Sequence, residues 1–486
     1  MSGAENRIFL LGLDVGSTTS SALLAVARVG SSSLTGRMEL ESPEVVYRGG
    51  PVFTPFAEAS IDEAALADLM DSWLRESGVA PRDIFAGGVI VTGLAARRRN
   101  ASALAALVRG RIGEAVMATA EDPQLESWLA FMGSCGTLSR CHGDTPVINL
   151  DIGGGTTNAA LGRAGNVERA GCHFIGARHF QFLPGSYRLT AISEFGRALL
   201  GSLGIAREVG DDLEPSEREA VIGYYIAALQ AIVAGTRSFF DTPIGRRIEQ
   251  VPFAHGLGER PAVTYSGGVG ELVYSIAAGE RVPGTTHYGD LGIDLAHAIA
   301  ATPALARSLH SMVPEQRGRA TVYGVALHST EISGTTLHLP RPRTLPLRDM
   351  PIMSRLPLDA SLEEMERALG LARTSPRGAC VQITATATGQ TLGAIAVREL
   401  GERLAAALRA VDFPAELPLV VLLEPNAGKA LGQYATDWGR LPVNLIVIDE
   451  VPLRGAHFVN IGTPRQQVVP ISYYGMHEVA ADPPSG

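Results

Sequence analysis

The chain is poor in cysteine: Cys135, Cys141, Cys172 and Cys380 are the four among 486 residues. None stands in C-x-x-C or zinc-like Cys/His spacing. That excludes a disulfide framework and a zinc knuckle, and fits a reducing cytosol. Positive charge is also scarce. Lysine and arginine total 41 against 50 acidic residues, a net charge of -9, which argues against a nucleic-acid or anionic-membrane partner. The basic run Arg97-Arg98-Arg99 reads as a solvated loop or helix start. Long apolar runs are missing too. The most apolar helix-like stretch, AVIGYYIAALQAIVAG (220–235), is interrupted by Gln230 and flanked by Arg218, Glu219 and Arg237. It is too short to span a bilayer. The opening MSGAENRIFLLGLDVG does not read as a signal peptide, because its apolar stretch is short and ends on an aspartate. The expectation is a soluble, cytoplasmic protein. His142, His173, His179, His255 and His287 show no metal-ligand spacing and are assigned to cores or surfaces.

What is present is an ordinary globular composition, 46% hydrophobic and 19% charged, in a chain long enough for roughly three domains at about 150 residues each. Two strands, IFLLGLD and SALLAVARV, flank the turn VGSTTS near the start. ASIDEAALADLMDSWLRESG reads as a helix, with Ser60 and Glu63 at capping-box spacing and Gly78 then Pro81 ending it. GGVIVTG (87–93) reads as a buried strand, and the next helix covers roughly 100–118. Then the pattern restarts: PVINLD and NAALGRA are again strands around a Gly/Thr turn, followed by helices near 188–203 and 215–238. Residues 8–29 and 146–164 thus look like one supersecondary unit used twice. AVTYSGGVGELVYSIAAG (262–279) reads as strand, glycine turn, helix.

The expected division is a first lobe at 1–145, a second at 146–339, a proline-rich linker at 340–357, a C-terminal α/β region at 358–480 and a disordered tail at 481–486. Within the C-terminal region, a helix (about 388–410) precedes the strands LPLVVLLE and VNLIVID.

The two repeated turns carry the chemistry. Asp14-Val-Gly16-Ser17-Thr18-Thr19 and Asp151-Ile-Gly153-Gly154-Gly155-Thr156-Thr157 each end a strand on a carboxylate. Each then offers unhindered backbone N–H groups and hydroxyls. Such a hairpin turn is a nest of donors for phosphate oxygens. A carboxylate beside phosphates is repelled unless a cation lies between, so Asp14 and Asp151 imply Mg²⁺. Taken alone, either turn is also compatible with a plain tight hairpin. A P-loop is excluded because no GxxxxGK[ST] occurs and a strand, not a helix, follows each turn. A third glycine element, TYSGGVGE (264–271), has Gly267 and Gly268 where an adenosine can lie flat on the backbone.

These residues resemble the actin, sugar-kinase and heat-shock-chaperone ATPase superfamily. LDVGSTT is similar to its first phosphate motif, LDIGGGTTN to its second and YSGGVGE to its adenosine motif. The resemblance implies an α/β fold of two actin-like lobes, each on a ribonuclease-H-like mixed sheet, with ATP between them and a C-terminal α/β region beyond. Asp14 would bind Mg²⁺ through water, with Gly16, Ser17, Thr18 and Thr19 contacting phosphates. Asp151 would position Mg²⁺ or the attacking water. Gly153, Gly154, Gly155, Thr156 and Thr157 would hold the phosphates from the other lobe, and Gly267 and Gly268 the adenosine. No segment matches the one that polarises the water in chaperone relatives.

Further stretches resemble the ethanolamine ammonia-lyase reactivating factors: VYRGGPVFTPFAEASIDEAAL, VTGLAARRRNA, ATAEDPQLESWLAFMGSCG, HYGDLGIDLAHAI, YGVALHSTEISGTTL, EPNAGKALG and IDEVPLRGAHFVNIGTP. This resemblance covers nearly the whole chain. It implies a slow, Mg²⁺-dependent ATP hydrolase that acts as a chaperone on an adenosylcobalamin enzyme, ethanolamine ammonia-lyase. Damaged cobalamin would leave and intact adenosylcobalamin replace it, with cobalamin touched at most indirectly. Association with a bacterial microcompartment stays open. So do three rivals: a small-molecule kinase, a redox activator of a dehydratase with an iron–sulfur cluster (the role suggested by Cys135 and Cys172), and an actin-type filament. EPNAGKALG, with Asn426, Gly428 and Lys429, reads either as an anion site at a helix N-terminus or as a helix start with a solvated lysine.

Overall fold

The computed structural model describes residues 7–16, 19–31, 38–50, 52–57, 60–91, 107–108, 111, 116–120, 123–256, 260–384, 392–452, 456–465 and 468–476. Arg7–Val15 (β1) and Thr19–Ser31 (β2) form an antiparallel hairpin with Asp14 opposite Ser21. Met38–Arg48 (β3) extends it, helix Glu63–Ser77 (α1) crosses, and Ile84–Val91 (β4) returns parallel to β1. Val116–Ala120 (β5) pairs parallel with β4, giving the order β3-β2-β1-β4-β5. Every residue of β4 is buried, as expected for a central parallel strand covered on both faces.

Two local expectations change here. The side chain that caps α1 is Asp62, accepting from the Ala65 N–H, and not Ser60. Ser60–Ile61 pairs with Phe56–Ala57 as a short ribbon, so the chain stays extended until Asp62. The end of the helix expected over 100–118 is instead the edge strand β5, while most of that stretch lies outside the described residues.

Helix Pro123–Ser134 (α2) leads into the second sheet: Val147–Ile152 (β6), Thr157–Arg163 (β7), Asn166–His173 (β8), Glu249–Val251 (β9) and Ala262–Ser266 (β10), ordered β9-β8-β7-β6-β10. The β6–β7 hairpin sets Asp151 opposite Asn158, and β10 runs parallel to β6 as β4 does to β1. In both hairpins the aspartate's cross-strand partner lies seven residues further on. The duplication is therefore one of register as well as of sequence. Two helices follow β8, at Glu194–Ser202 and Pro215–Ala234. The first starts later than expected because Leu189–Ile192 is a strand and the Ser193 side chain caps Gly196 N–H. Gly267–Ala277 (α3) and Gly292–Ala301 (α4) pack together over the β6 side of this sheet. The lobe's core gathers Leu150, Ile152, Tyr225, Phe240 and Tyr265.

Helix Ala320–His328 (α5) falls inside the stretch expected as the second lobe, yet packs on α2, β1, β2 and β4. Beyond it stands a seven-stranded sheet. Its members are Glu331–Ile332 (β11), Leu347–Pro357 (β12), Ala379–Thr384 (β13), Pro418–Leu423 (β14), Asn444–Ile448 (β15), Ala456–Ile461 (β16) and Pro470–Met476 (β17). The order is β11-β17-β16-β12-β13-β14-β15, with β12 to β15 parallel and joined by helices Leu362–Arg373 (α6), Ala394–Ala410 (α7) and Gly428–Ala435 (α8).

The stretch expected as a linker, 340–357, is thus largely an interior strand. Within it Pro351 stands in register opposite Phe458 of β16, and Pro357 opposite Thr384 at the strand's end. β17 lies against β5 of the first sheet, and the Arg465 guanidinium donates to the carbonyls of Arg82 and Asp83. No helix among the described residues is long and apolar enough to cross a membrane.

Candidate functional site

Each glycine turn closes with the same backbone hydrogen bond. Gly16 N–H donates to Thr19 O at 3.0 Å, and Gly153 N–H donates to Thr156 O at 2.9 Å. In the second turn the carbonyls are tied from behind. Ala177 N–H donates to Gly153 O (3.1 Å), Arg178 N–H to Gly154 O (2.6 Å), and the His179 Nε2 bonds Gly155 O (2.8 Å). In a trans peptide the N–H points opposite to the preceding C=O. Fixing the carbonyls of 153–155 on one side therefore aims the N–H groups of Gly154, Gly155 and Thr156 to the other. That is a donor nest suited to an anion.

Gly176 must lack a side chain, since a Cβ there would run into the backbone of Gly154 and Gly155. His179 is held in turn by Ser193 Oγ at 2.7 Å. The sequence reading assigned His179 to a core or surface. The legible signal for its part here was its place just after GARH's glycine, which has meaning only once residues 176–179 are known to lie behind the turn.

The carboxylates converge. Asp151 is buried at the end of β6, where its Oδ1 accepts from Ser266 Oγ (2.6 Å) and its Oδ2 from Thr321 Oγ1 (3.4 Å). Ser266 is oriented by Asn149 Nδ2 (2.9 Å), and Asn149 Oδ1 accepts from Thr264 Oγ1 (3.1 Å). Burial pushes the Asp151 carboxyl up to about 6, against the two hydroxyl hydrogen bonds that lower it. A third carboxylate, Glu126 on α2, is buried beside it. Burial first, then the charges of Asp151 and Asp14, hold Glu126 well above the usual carboxylate range, while a hydrogen bond from Asn158 works the other way.

Glu126 on α2 is thus within electrostatic reach of Asp151 on β6 and of Asp14 on β1. The three do not by themselves form a metal site, so a divalent cation here would rest on Asp14 and Asp151 with phosphate oxygens and water completing its shell. Glu126 is the residue that sequence reasoning missed. It lies in ATAEDPQLESWLA with no local feature separating it from a surface helix glutamate.

The remaining expected residues sort plainly. Gly267 has φ 78°, and a Cβ there would press on the Ile152 backbone at 2.5 Å, so glycine lets α3 start directly against the end of β6. No separate glycine turn precedes that helix. Gly268 faces open space. Thr156 and Thr157 are both buried, and Thr157 Oγ1 donates to Ile175 O (2.8 Å), so that hydroxyl anchors the hairpin and is not presented to a ligand. Thr19 opens β2. Gly16 O accepts from Thr54 Oγ1 at 2.7 Å, itself bonded to Ser20 Oγ. Ser17 and Thr18 lie outside the described residues.

Cys135, Cys172 and Cys380 are buried and in no disulfide, and burial pushes the Cys135 thiol up to about 11. Among the described residues no group of three or more His, Cys, Asp or Glu side chains has metal-site geometry. At the start of α8, Asp449 Oδ2 accepts from the N–H groups of Ala427 (2.9 Å) and Gly428 (2.7 Å). The chain's own carboxylate thus fills the helix terminus that EPNAGKALG offered to an anion, and Lys429 is exposed.

Solved structures align at low TM-scores. An exopolyphosphatase-like protein gives 0.36 at 14% identity over 66% of this chain and 98% of that one. A Ppx/GppA family member from Aquifex aeolicus gives 0.33 at 14% identity over 66% and 88%. The two-lobed actin-like assignment stands on the duplicated strand order and register. Curated relatives align end to end. The ethanolamine ammonia-lyase reactivase EutA of Salmonella typhimurium is 27% identical over 475 residues, covering 96% of this chain and 97% of its own. The Escherichia coli K12 protein of the same name is 28% identical over 487 residues, again covering 96% and 97%. The family model for the ethanolamine utilisation protein EutA matches residues 6–474, both glycine turns, Glu126 and the C-terminal sheet included, and the chain belongs to that family.

Proposed function

We propose that this protein is an ATP-dependent reactivating chaperone of adenosylcobalamin-dependent ethanolamine ammonia-lyase, promoting exchange of damaged cobalamin for intact adenosylcobalamin. The observation that carries the nucleotide part is the pair of matched glycine turns, each headed by a carboxylate at the same register, Asp14 and Asp151. The choice of lyase follows from the name borne by both curated relatives.

In this reading Asp14 and Asp151 hold Mg²⁺, in part through water, and the ion would screen phosphate charge and draw electron density from the phosphorus. Gly154, Gly155 and Thr156 bind phosphate oxygens through backbone N–H groups, with Gly153 closing the turn behind them, opposed by the turn at Gly16. Gly267 and Gly268 receive the adenosine. Ser266 and Thr321 orient Asp151. Glu126, whose proton burial holds on first and the charges of Asp151 and Asp14 second, faces the pair from α2 as a neutral acid and is not assigned the role of base. With no general base and no substrate pocket assigned, turnover is expected to be slow.

A spent cofactor held by many contacts leaves slowly. A partner that prefers the open lyase shifts that equilibrium only by its differential affinity, and hydrolysis resets the partner. The test is recovery of lyase inactivated with hydroxocobalamin, supplied with free adenosylcobalamin, Mg²⁺ and this protein, with and without ATP. Recovery that needs ATP and is lost in Asp14→Ala and Asp151→Ala is the expected result. No recovery, from a protein that still binds ATP, overturns the chaperone reading.

A further inference from the structure

Helix α5 touches all three elements that carry Asp14, Glu126 and Asp151. Its second residue, Thr321, reaches Asp151 Oδ2. Its backbone lies directly on β1, where a Cβ at Gly12 would strike Val322 O and Ala326 N. Its contact with α2 is equally bare. A Cβ at Gly324 would run into Leu129 O, and one at Gly133 into Ala320 O and Gly324 N. Contacts of this kind have no side chains between them to repack. A packed interface without such a cushion passes on a displacement and does not absorb it.

The other end of α5 runs within two residues into the C-terminal sheet. Ser329 and Thr330 are followed by β11, which pairs with β17. The join is locked by three buried hydrogen bonds: Ser333 N–H to Val469 O (3.0 Å), Val469 N–H to Ser333 Oγ (2.9 Å) and Gly334 N–H to Asp449 O (2.9 Å). The hydroxyl of Thr336 also donates to Asp449. One short helix therefore has Asp151 at its first turn and the C-terminal sheet at its end.

We infer that Thr321 is a positioning residue through which occupancy of the Asp151 site is relayed along α5 to the C-terminal sheet at residues 331–336 and 468–471. The inference rests on the reading of Asp151 as a nucleotide-side carboxylate. The 3.4 Å Thr321–Asp151 bond is long for a hydroxyl–carboxylate pair. A ligand that draws Asp151 toward the open side of the turn either lengthens it to breaking or pulls the start of α5 along. When the bond holds and α5 is pulled, the far end of the helix changes its seat on β11 and β17; when it breaks, the relay is cut, as in Thr321→Val. The C-terminal sheet is thereby the part of the molecule that reports nucleotide state to a partner.

The test is hydrogen exchange of the full chain with Mg²⁺ and a non-hydrolysable ATP analogue at saturation, with occupancy measured separately by a fluorescent analogue. In the wild type the amides of Ser333, Gly334 and Val469 should change exchange rate by about 5- to 150-fold, the usual span of coupling between two sites. Thr321→Val, isosteric but without the hydroxyl, should cut that response to less than about twofold at equal occupancy, and Thr321→Ser should restore it. Because all three are read at saturation with unchanged melting temperature as a control, simple loss of stability does not mimic the result. A full response in Thr321→Val overturns the relay. A saturated wild type with no response in this segment also overturns it, and leaves the nucleotide reading intact. Failure of the analogue to bind at all overturns both.

Discussion

The two glycine turns share a strand register, a carboxylate position and a closing hydrogen bond, yet they are supported differently. Behind the second, three successive carbonyls are fixed by Ala177, Arg178 and His179, and both oxygens of Asp151 accept from hydroxyls. Behind the first, the described support is the Thr54 hydroxyl on Gly16 O, backed by Ser20. Duplication therefore reproduced the hairpin but not its setting. A phosphate nest needs its N–H groups aimed in advance, and rigid backing on one side with a lighter partner opposite suits a cleft that must open and close.

Several substitutions press on that difference. The largest effect is expected at the first turn's carboxylate. Asp14→Asn removes one of the two charges proposed to hold Mg²⁺ and should lower Mg²⁺-dependent ATP turnover by about 10² to 10³, measured by phosphate release. Retained turnover would place the ion elsewhere.

Next is Asp151→Asn, read as stability against pH. The carboxyl's folded value of about 6 exceeds its ordinary 3.8, so the folded state holds the proton more tightly. Its contribution is fully favourable below about pH 4 and is lost as pH rises through about 6. Without nucleotide or Mg²⁺, Asp151→Asn should match the wild type near pH 4 and exceed it at pH 8 by up to about 3 kcal/mol in chemical denaturation. Equal stability at pH 8 would mean the buried charge is already compensated.

His179→Phe keeps the ring's volume and frees Gly155 O. It should weaken ATP binding about tenfold, the worth of about 1.4 kcal/mol of lost hydrogen bonding. Thr54→Val, the corresponding change at the first turn, should cost about threefold, near 0.7 kcal/mol. If Thr54→Val proved the more damaging, the first turn and not the second would be the rigid half of the site.

Much of this was legible beforehand because short-range chemistry decides it. Strand, aspartate, glycine turn and strand at residues 8–29 and 146–164 specify hairpins whatever surrounds them. Gly78 with Pro81 ends α1 for equally local reasons. Other positions were illegible for a common reason, that their partners are distant in sequence. Glu126 reads as a solvated helix glutamate until α2 is seen packed on β7 and β8 of the second sheet and against α5. His179 and Gly176 acquire a role only from residues more than twenty positions away. Pro351 and Pro357 suggest a linker until their pairing opposite Phe458 and Thr384 places them within β12.

The sequence by itself determined the two hairpins, their carboxylates and the α/β alternation of the C-terminal region, because turn chemistry and hydrophobic period act over a few residues. Only the tertiary structure decided that Glu126 joins Asp14 and Asp151, that Asp449 occupies its own helix terminus, and that α5 crosses to the first sheet. Those outcomes depend on burial and on backbone contacts between segments up to about three hundred residues apart, such as Gly12 with Val322. Local propensity carries no information about which surfaces will meet.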